Sequence, residues 1–194
     1  MNKKENKFIL IDGMDCSGKT TLINLIKEHI NADVIKEPLD KYRDEIMDTN
    51  TSTSRREDLF LLGRNELNLT IPDRLKDSHV ISDSGGLRGL AYCNHEQYSK
   101  ILHNYINQPN RPSTIYFLDV TYDTFKDRMI KRVEGGEPMD ILESIDKEVF
   151  SQRREDFYLT IYKLMTRGFD IRVYNVDDGV EHVSKDIIKY LTRK

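Results

Sequence analysis

The sequence predicts an α/β protein in which a parallel sheet of five strands is covered by helices on both faces, a three-layer α/β/α arrangement. Short apolar runs that are typical of buried strands alternate with longer segments whose apolar residues recur at helical spacing. Connections between parallel strands are right-handed crossovers, which cover both faces of such a sheet with helices. At 194 residues the chain can bury a full core, and we expect one domain over residues 1–194.

Two strands and one helix are predicted in the N-terminal part of the chain. Residues 8–11 form an uninterrupted apolar run, as expected for a strand that is buried on both faces. Apolar residues recur at helical spacing over 19–29, and residues 34–36 form a short strand that a proline ends. Residues 39–53 are polar and give no assignment, except that the polar loop 48–54 is expected to cap the next helix with its last residues.

The middle of the chain adds a helix, a strand and a second helix. Apolar residues at helical spacing predict a helix that ends near Arg74. His79–Asp83 is typical of a buried strand and ends in a carboxylate. A helix over about residues 87–106 follows, and residues 109–113 form a connector.

The C-terminal part contains the last two strands and a candidate lid. Residues 114–119 form the fourth strand, and Thr121 begins a helix that extends to about Val133. Residues 134–138 are rich in glycine and acid, which indicates a flexible break and a candidate lid over 133–144. The remaining predicted elements are a helix over 142–166, a fifth strand over 169–174 and a helix over 180–191.

The composition favours a cytoplasmic protein without a membrane or nucleic-acid partner. A net charge of -3 gives no overall attraction to nucleic acid or to anionic membranes. Cys16 and Cys93 do not suggest a disulfide framework, and free thiols are typical of a reducing compartment. The apolar run behind the charged N-terminal residues is too short for a signal peptide or a membrane span.

The strongest functional signal is a phosphate-binding loop between the first strand and the first helix. Residues 13–20 fit the pattern G-x-x-x-x-G-K-[ST] at every fixed position. In such a P-loop, main-chain N–H groups turn inward around an anion, and the next helix adds its positive N-terminal end. Lys19 is expected to reach the β- and γ-phosphates of ATP, and the Thr20 hydroxyl to bind Mg²⁺. The predicted donor-binding residues of this P-loop NTPase-type fold are Gly13, Met14, Asp15, Cys16, Ser17, Gly18, Lys19, Thr20 and Thr21.

Three predicted strands end in polar or charged residues. The P-loop follows the first strand, Glu37 follows the second, and Asp83 ends the third. Because ligands bind at the carboxyl ends of parallel strands, we expect these residues to line one cleft. Asp83 is then a second candidate metal ligand beside Thr20, and it also faces the substrate.

In its motifs, the sequence resembles the thymidylate kinase family over nearly the whole chain. Residues 12–21 carry the P-loop, and Lys36-Glu37-Pro38 stands where the family has Arg-Glu-Pro. Residues 59–64 are similar to the family's Phe-x-x-x-Arg helix, and Asp83 with Ala91-Tyr92 is similar to its Asp-Arg-Tyr and Ala-Tyr pair. The resemblance continues through residues 116–121, Arg128, Arg132 and the segment from Arg153 to Tyr158. It implies phosphoryl transfer from ATP to a deoxynucleoside monophosphate such as dTMP, and a homodimer through the helices after the first and third strands.

The resemblance also implies roles for the residues of the acceptor site. Phe60 would stack on the acceptor base and Arg64 would donate to its edge, although Phe60 also fits an ordinary core position. Asp15 would contact the acceptor sugar or the metal shell, and Tyr92 would press against the sugar. The remaining substrate-binding positions implied in this way are Lys36 at the acceptor phosphate, Glu37, Asp83 and Tyr158.

Phosphoryl transfer depends on in-line geometry and on positive charge around the moving group. Beyond Lys19, the candidate lid is flanked by several arginines, of which Arg132 and Arg153 are the best candidates for catalysis. Asp15 completes the predicted catalytic set, and Arg128 is expected to cover the adenine of the donor. Arginine and lysine on helices are more often solvated surface residues, so these assignments are hypotheses.

The chain departs from the family pattern at three positions. Ser84 replaces the arginine of Asp-Arg-Tyr, which grips the acceptor phosphate in the family. Cys16 and Ile141 stand at the two positions where family members place a further arginine, in the loop and in the lid respectively. Arg88, one helical turn beyond Ser84, is the candidate that binds the acceptor phosphate in place of the missing arginine, together with Lys36.

These departures leave alternatives open. If Arg88 and Lys36 bind the acceptor phosphate, the substrate is a deoxynucleoside monophosphate. If they do not, the acceptor carries no phosphate, and the protein is similar to deoxynucleoside kinases. A third reading is a nucleotide-binding module without catalysis, although the intact Lys19 and Thr20 favour an enzyme.

Overall fold

The computed structural model describes residues 5–37, 40–93, 95–136 and 144–193. Five strands form one sheet, in which every neighbouring pair is parallel. The strands are β1 (Phe8–Gly13), β2 (Ala32–Lys36), β3 (His79–Asp83), β4 (Thr114–Asp119) and β5 (Ile171–Asn175). This sheet confirms the predicted α/β fold class.

Eight helices connect and follow these strands in the described part of the chain. They are α1 (Lys19–Lys27), α2 (Asp40–Met47), α3 (Thr53–Arg74), α4 (Gly86–Tyr92), α5 (His95–Ile106), α6 (Tyr122–Glu134), α7 (Lys147–Met165) and α8 (Glu181–Thr192). Two of the starts are capped as the sequence predicts, because the side chains of Ser52 and Thr121 accept hydrogen bonds from main-chain N–H groups of the first turn. A third cap, Asp146 before α7, was not predicted.

The strand order β2-β3-β1-β4-β5 places the P-loop strand at the centre of the sheet. The connection after β1 leads to one edge, whereas the connections after β2, β3 and β4 lead in the opposite direction. Right-handed connections that run in opposite directions place their helices on opposite faces, and α1 accordingly packs against α8, and α4 against α7. A crevice for ligands therefore opens at the carboxyl end of β1.

The core follows from the apolar runs of the central strands. Every residue of β4 is buried, and β1 is buried from Ile9 onward. A second, smaller apolar cluster joins β2 and β3 to the long helix α3 through Ile35, Val80 and Leu67. The site therefore rests on rigid strands on one side and on α3 on the other.

Three element predictions differ from the structure. The helix predicted over 87–106 is interrupted at Cys93, whose backbone is extended, so that α4 and α5 are separate helices. Residues 40–47, which the sequence left unassigned, form α2 around the buried Ile46. The helix predicted from residue 142 begins at Lys147, where Asp146 caps it. Of the candidate lid, residues 137–143, including Ile141, lie outside the described residues.

Candidate active site

The P-loop joins β1 to α1 and is shaped by its two glycines. A Cβ atom built on Gly13 would lie 2.4 Å from the main-chain oxygen of Leu118, so only glycine permits this approach to β4. Gly18 has a φ of 88° and precedes α1 without a side-chain cap. The first-turn N–H groups of α1 therefore remain available to an anion, as phosphate binding requires.

Lys19 lies over this loop. Its Nζ donates to the main-chain oxygens of Gly13 and Met14, at 3.1 and 2.9 Å. Thr20 and Thr21 are exposed in the first turn of α1, and Ser17 is fully buried behind them. The structure thus brings the nine predicted donor-binding residues of the loop together.

Two arginines of α6 face the loop from outside. Arg128 donates to the main-chain oxygens of Cys16, Val176 and Asp177, at 3.1, 2.8 and 3.1 Å. It therefore ties the P-loop to the connection between β5 and α8. A terminal nitrogen of Arg132 lies 3.8 Å from the Cys16 sulfur, which places this cation beside the P-loop.

Asp15 links the loop to α4. Its carboxylate forms an ion pair with Arg88 at 2.6 Å and accepts a hydrogen bond from the Tyr92 hydroxyl at 3.2 Å. Burial alone would raise the pKa of Asp15, but the charges of Arg88 and Lys19 and the bond from Tyr92 hold the pKa below its usual range. Asp15 is therefore ionised at neutral pH. Burial in turn raises the pKa of the Tyr92 hydroxyl, which remains a proton donor.

A cavity of about 240 Å³ lies on the other side of Arg88 and Tyr92. One face of α3 forms its longest wall, and α2 and α4 complete it. Its lining residues are Glu37, Arg43, Met47, Thr53, Arg56, Glu57, Phe60, Arg64, Ser84, Gly85, Arg88, Gly89, Tyr92 and Cys93. The predicted acceptor residues Glu37, Phe60, Arg64, Arg88 and Tyr92 thus share one cavity, which we call the acceptor cavity.

The inner wall of the acceptor cavity is a buried ion pair. Arg64 is only 5% exposed, and its Nε and one terminal nitrogen donate to Glu37 at 3.2 and 3.0 Å. The Tyr105 ring lies 5.8 Å from the guanidinium carbon, and a Cβ atom on Gly89 would lie 3.0 Å from a terminal nitrogen. These contacts hold the Arg64 guanidinium in one orientation. The N–H groups that Glu37 does not bind therefore point in a fixed direction.

Arg153 and Arg154 of α7 are neighbours in the chain but make different contacts. Arg153 lies over the Tyr92 ring, 4.7 Å from its centroid, and its charge also lowers the pKa of Asp15. Arg154 instead binds Asp119 through two hydrogen bonds of 2.8 and 2.6 Å. The Tyr158 hydroxyl donates to the same carboxylate at 2.8 Å, and Tyr158 is not among the described residues that line the acceptor cavity.

The predicted residues at the ends of β2 and β3 lie side by side. Lys36 is exposed and stands opposite Asp83 in the parallel register. Burial raises the pKa of the Asp83 carboxyl, and the charges of Lys19 and Lys36 oppose that shift. Among the described residues, there is no group of three or more metal-binding side chains.

Sequence reasoning missed three residues of this region. Arg43 lines the acceptor cavity from α2, a helix too short and polar to be recognised by periodicity. Arg56 also lines it, and donates to the main-chain oxygens of Ile46 and Asp48, which anchors the end of α2. Asp12, at the end of β1, is fully buried and accepts hydrogen bonds from the main-chain N–H groups of Gly13 and Arg88. A carboxylate at the end of an apolar strand was the available signal for Asp12.

Comparison with known proteins decides between the families that share a P-loop. The sequence model of the family described as thymidylate kinase matches residues 11–187. The chain belongs to the thymidylate kinase family. A probable thymidylate kinase of Methanococcus maripaludis strain C6 is 31% identical over 202 residues, which cover 97% of this chain and 96% of the relative. A probable thymidylate kinase of strain C7 of that organism is 34% identical over 164 residues, which cover 80% and 78%.

Solved thymidylate kinase structures share the fold. The enzyme of Candida albicans superposes with a TM-score of 0.70 at 20% identity, over 96% of this chain and 92% of its own. The enzyme of Ehrlichia chaffeensis gives a TM-score of 0.69 at 21% identity, over 97% and 100%. Membership of the thymidylate kinase family makes this protein a nucleotide kinase and implies ATP as its phosphoryl donor.

Proposed function

We propose that the protein transfers the γ-phosphoryl group of ATP to dTMP, with Arg88 at the boundary between the donor and acceptor sites. One observation carries this assignment. Arg88 and Tyr92 both line the acceptor cavity and both bind Asp15 of the P-loop. A donor on the loop and an acceptor in the cavity would therefore meet at these residues, as direct transfer between two bound nucleotides requires.

Recognition of the base is assigned to Phe60 and Arg64. An aromatic ring on the cavity wall suits any base, whereas the guanidinium of Arg64 only donates hydrogen bonds. Glu37 accepts hydrogen bonds from Nε and one terminal nitrogen of Arg64. A base that binds the remaining N–H groups of Arg64 must therefore offer a hydrogen-bond acceptor. The C4 carbonyl of thymine satisfies this requirement, while the amino group of cytosine at the same position does not.

Recognition of the acceptor phosphate is assigned to Arg88, with Lys36 and Arg43 as further cations. Ser84 is too short to replace the arginine that the family places there, and its φ of 68° directs the chain sharply into α4. Arg88 follows in the first turn of α4 and pairs with Asp15 of the P-loop. This supply of positive charge favours a monophosphate over an unphosphorylated nucleoside.

Mg²⁺ fits the residues that are present. This ion is usually held by one or two protein oxygens together with substrate phosphates and water, which is consistent with Thr20 and Asp83 as its protein ligands. The metal, when bound, neutralises charge on the transferring phosphates. Around it, Lys19 would hold the donor phosphates, Arg132 and Arg153 would face the transferring group from α6 and α7, and Asp15 would orient the acceptor sugar.

We further propose a cytoplasmic homodimer built from one domain per chain, with the segment 133–144 as its lid. Of the described helices, none combines the length and apolar composition that a membrane span requires. Exposed large apolar side chains lie on α3, including Leu69 at 72% exposure, and on α7, which follow β2 and β4, whereas the resemblance implied an interface through the helices after the first and third strands. Burial of such a face in a symmetric interface would stabilise a dimer. Sedimentation velocity is expected to give the mass of a dimer, and a monomer throughout the concentration range would contradict this part.

A steady-state assay with ATP and a panel of acceptors tests the proposed function. The panel contains dTMP, dUMP, dCMP and the three parent nucleosides, with ADP formation as the readout. We expect the highest kcat/KM with dTMP and no turnover above background for Lys19→Ala. Turnover of nucleosides but not of monophosphates would support the deoxynucleoside kinase reading instead, and equal rates for wild type and Lys19→Ala would exclude a catalytic P-loop.

A further inference from the structure

Asp12 is a buried carboxylate with two main-chain partners. Its side chain is fully buried, one carboxylate oxygen accepts the N–H of Gly13 at 2.8 Å, and the other accepts the N–H of Arg88 at 3.2 Å. Gly13 is the first residue of the P-loop, whereas Arg88 lies on α4 and lines the acceptor cavity. A single side chain therefore joins the donor loop to the acceptor helix.

The surroundings of Asp12 disfavour an ionised carboxylate and thereby lower the stability of the folded protein. Lys19 and Arg88 attract its charge, but burial dominates and raises the pKa of Asp12 to about 6. The buried Arg64 and Tyr105 also interact electrostatically with Asp12. The carboxylate is therefore ionised at neutral pH in a place where a neutral side chain would be easier to bury. A buried charge that lowers stability points to a functional requirement at that position.

We propose that Asp12 is a positioning residue, which fixes α4 against the P-loop and thereby sets the separation between the acceptor phosphate and the γ-phosphate of the donor. The inference rests on the proposed function, because it assigns Arg88 to the acceptor phosphate. Asp12 itself touches main-chain N–H groups and acts only through the elements that carry them.

The two sites should respond differently to a loss of this link. The P-loop would still bind ATP through its own N–H groups and Lys19, and the acceptor cavity would still bind dTMP through Phe60, Arg64 and Arg88. Their relative position would change, however, and a displacement of about 1 Å can lower the rate of transfer by about 10²-fold. The predicted signature is a loss in kcat with little change in either KM.

The test uses Asp12→Asn in the full-length protein, with the best acceptor of the panel. The amide keeps one acceptor oxygen, but its NH₂ group cannot accept the second N–H. We expect kcat to fall by about 10- to 100-fold, as a small displacement of the reacting groups would produce. Both KM values should stay within about twofold, and the melting temperature at pH 7.5 should be no lower than that of the wild type. Asp170→Asn is the matched control, because this exposed carboxylate at the start of β5 accepts a hydrogen bond from Thr114 far from the loop.

A second variant, Asp12→Ala, removes both acceptors and should lower kcat further, again without a change in KM. A folded Asp12 variant with wild-type kcat would overturn the proposal, as would a loss that lies in the KM for ATP or for the acceptor. The same experiment separates the two proposals. An active wild type with an unaffected Asp12→Asn contradicts only the positioning role, whereas a wild type that turns over no monophosphate contradicts the proposed function.

Discussion

At the scale of single residues, the ion pair between Arg88 and Asp15 is the contact on which the acceptor assignment depends. It lies at 2.6 Å, and Asp15 is almost fully buried. The sequence indicated that Arg88 could compensate for Ser84, because the two residues are one helical turn apart. It gave no indication that Arg88 would be held by Asp15, since that pair joins positions 73 residues apart in the chain.

Arg88→Ala tests this role. Removal of the guanidinium is expected to raise the KM for dTMP by at least about tenfold, because a charge-assisted bond to phosphate contributes roughly 1.5–3 kcal/mol. The KM for ATP should change by less than about twofold, since Lys19 and the loop N–H groups remain. Steady-state kinetics provide both values, with Arg167→Ala, an exposed residue just after α7, as the control. Equal KM values for dTMP in wild type and Arg88→Ala would contradict the assignment.

Glu37→Gln tests the buried pair behind the base site. Loss of the carboxylate charge would leave the guanidinium of Arg64, which is 5% exposed, without its buried counter-charge. Breaking a buried pair in this way costs about 3–5 kcal/mol in the free energy of unfolding. Urea denaturation measures the change, and Glu45→Gln is the control because its pair with Arg55 is exposed. A Glu37→Gln protein as stable as the wild type would show that the pair does not hold Arg64 in place.

At the scale of secondary structure, α4 is the element that positions the acceptor side. It is short, begins after Gly85 and packs against α7. Gly86 is in such close contact with α5 that a Cβ atom there would lie 2.0 Å from the Tyr105 ring. The ring in turn lies beside Arg64, so the packing of α4 on α5 also affects the base-reading residue.

Gly86→Ala is therefore expected to destabilise the protein by about 1–3 kcal/mol through overpacking. The double variant Gly86→Ala/Tyr105→Leu removes the ring that the new methyl group meets. It should be more stable than the sum of the two single changes predicts, because the residues share one contact. Urea denaturation of the four proteins of this cycle measures the coupling, and strict additivity would mean that the clash is relieved elsewhere.

The strands and helices also show which structural features can be predicted from the sequence. All five strands were recognised from local features: four from apolar runs that end in Gly13, Lys36, Asp83 or Asp119, and β5 from apolar residues that alternate with charged ones over 169–173. The break between α4 and α5 was missed, since apolar residues continue at helical spacing on both sides of Cys93. The acceptor residues on α3 were recognised only through the family resemblance, and Arg43 was missed because α2 has one fully buried apolar residue, Ile46, and no long periodic pattern. Tertiary packing, rather than local sequence, determines these features.

At the scale of the whole molecule, the buried charge of Asp12 at the carboxyl end of β1 lowers stability, whereas the proposed positioning role requires Asp12 at that place. The pKa of Asp12 rises from 3.8 to about 6 on folding, because burial disfavours its charge. The folded state then binds a proton more tightly than the unfolded chain. The contribution of Asp12 to stability therefore falls as the pH rises from about 4 to about 6 and is constant above that range.

Comparison of wild type with Asp12→Asn isolates this effect. A shift of about two pKa units corresponds to about 3 kcal/mol. Relative to Asp12→Asn, the free energy of unfolding of the wild type should decline by up to that amount between pH 4 and pH 6. Urea denaturation at several pH values measures the difference. A difference that does not depend on pH would mean that Asp12 titrates alike in the folded and unfolded states.

The central claim is that the P-loop and the acceptor cavity form one cleft, with Arg88 at the acceptor phosphate. A crystal structure with a bisubstrate analogue, in which thymidine and adenosine are joined by a chain of phosphates, tests it most directly. We expect the phosphates next to adenosine on the P-loop, thymine against Phe60 and Arg64, and a phosphate of the thymidine end within hydrogen-bond distance of Arg88. A complex in which thymine lies outside the cavity, or in which Arg88 contacts only Asp15, would contradict the claim.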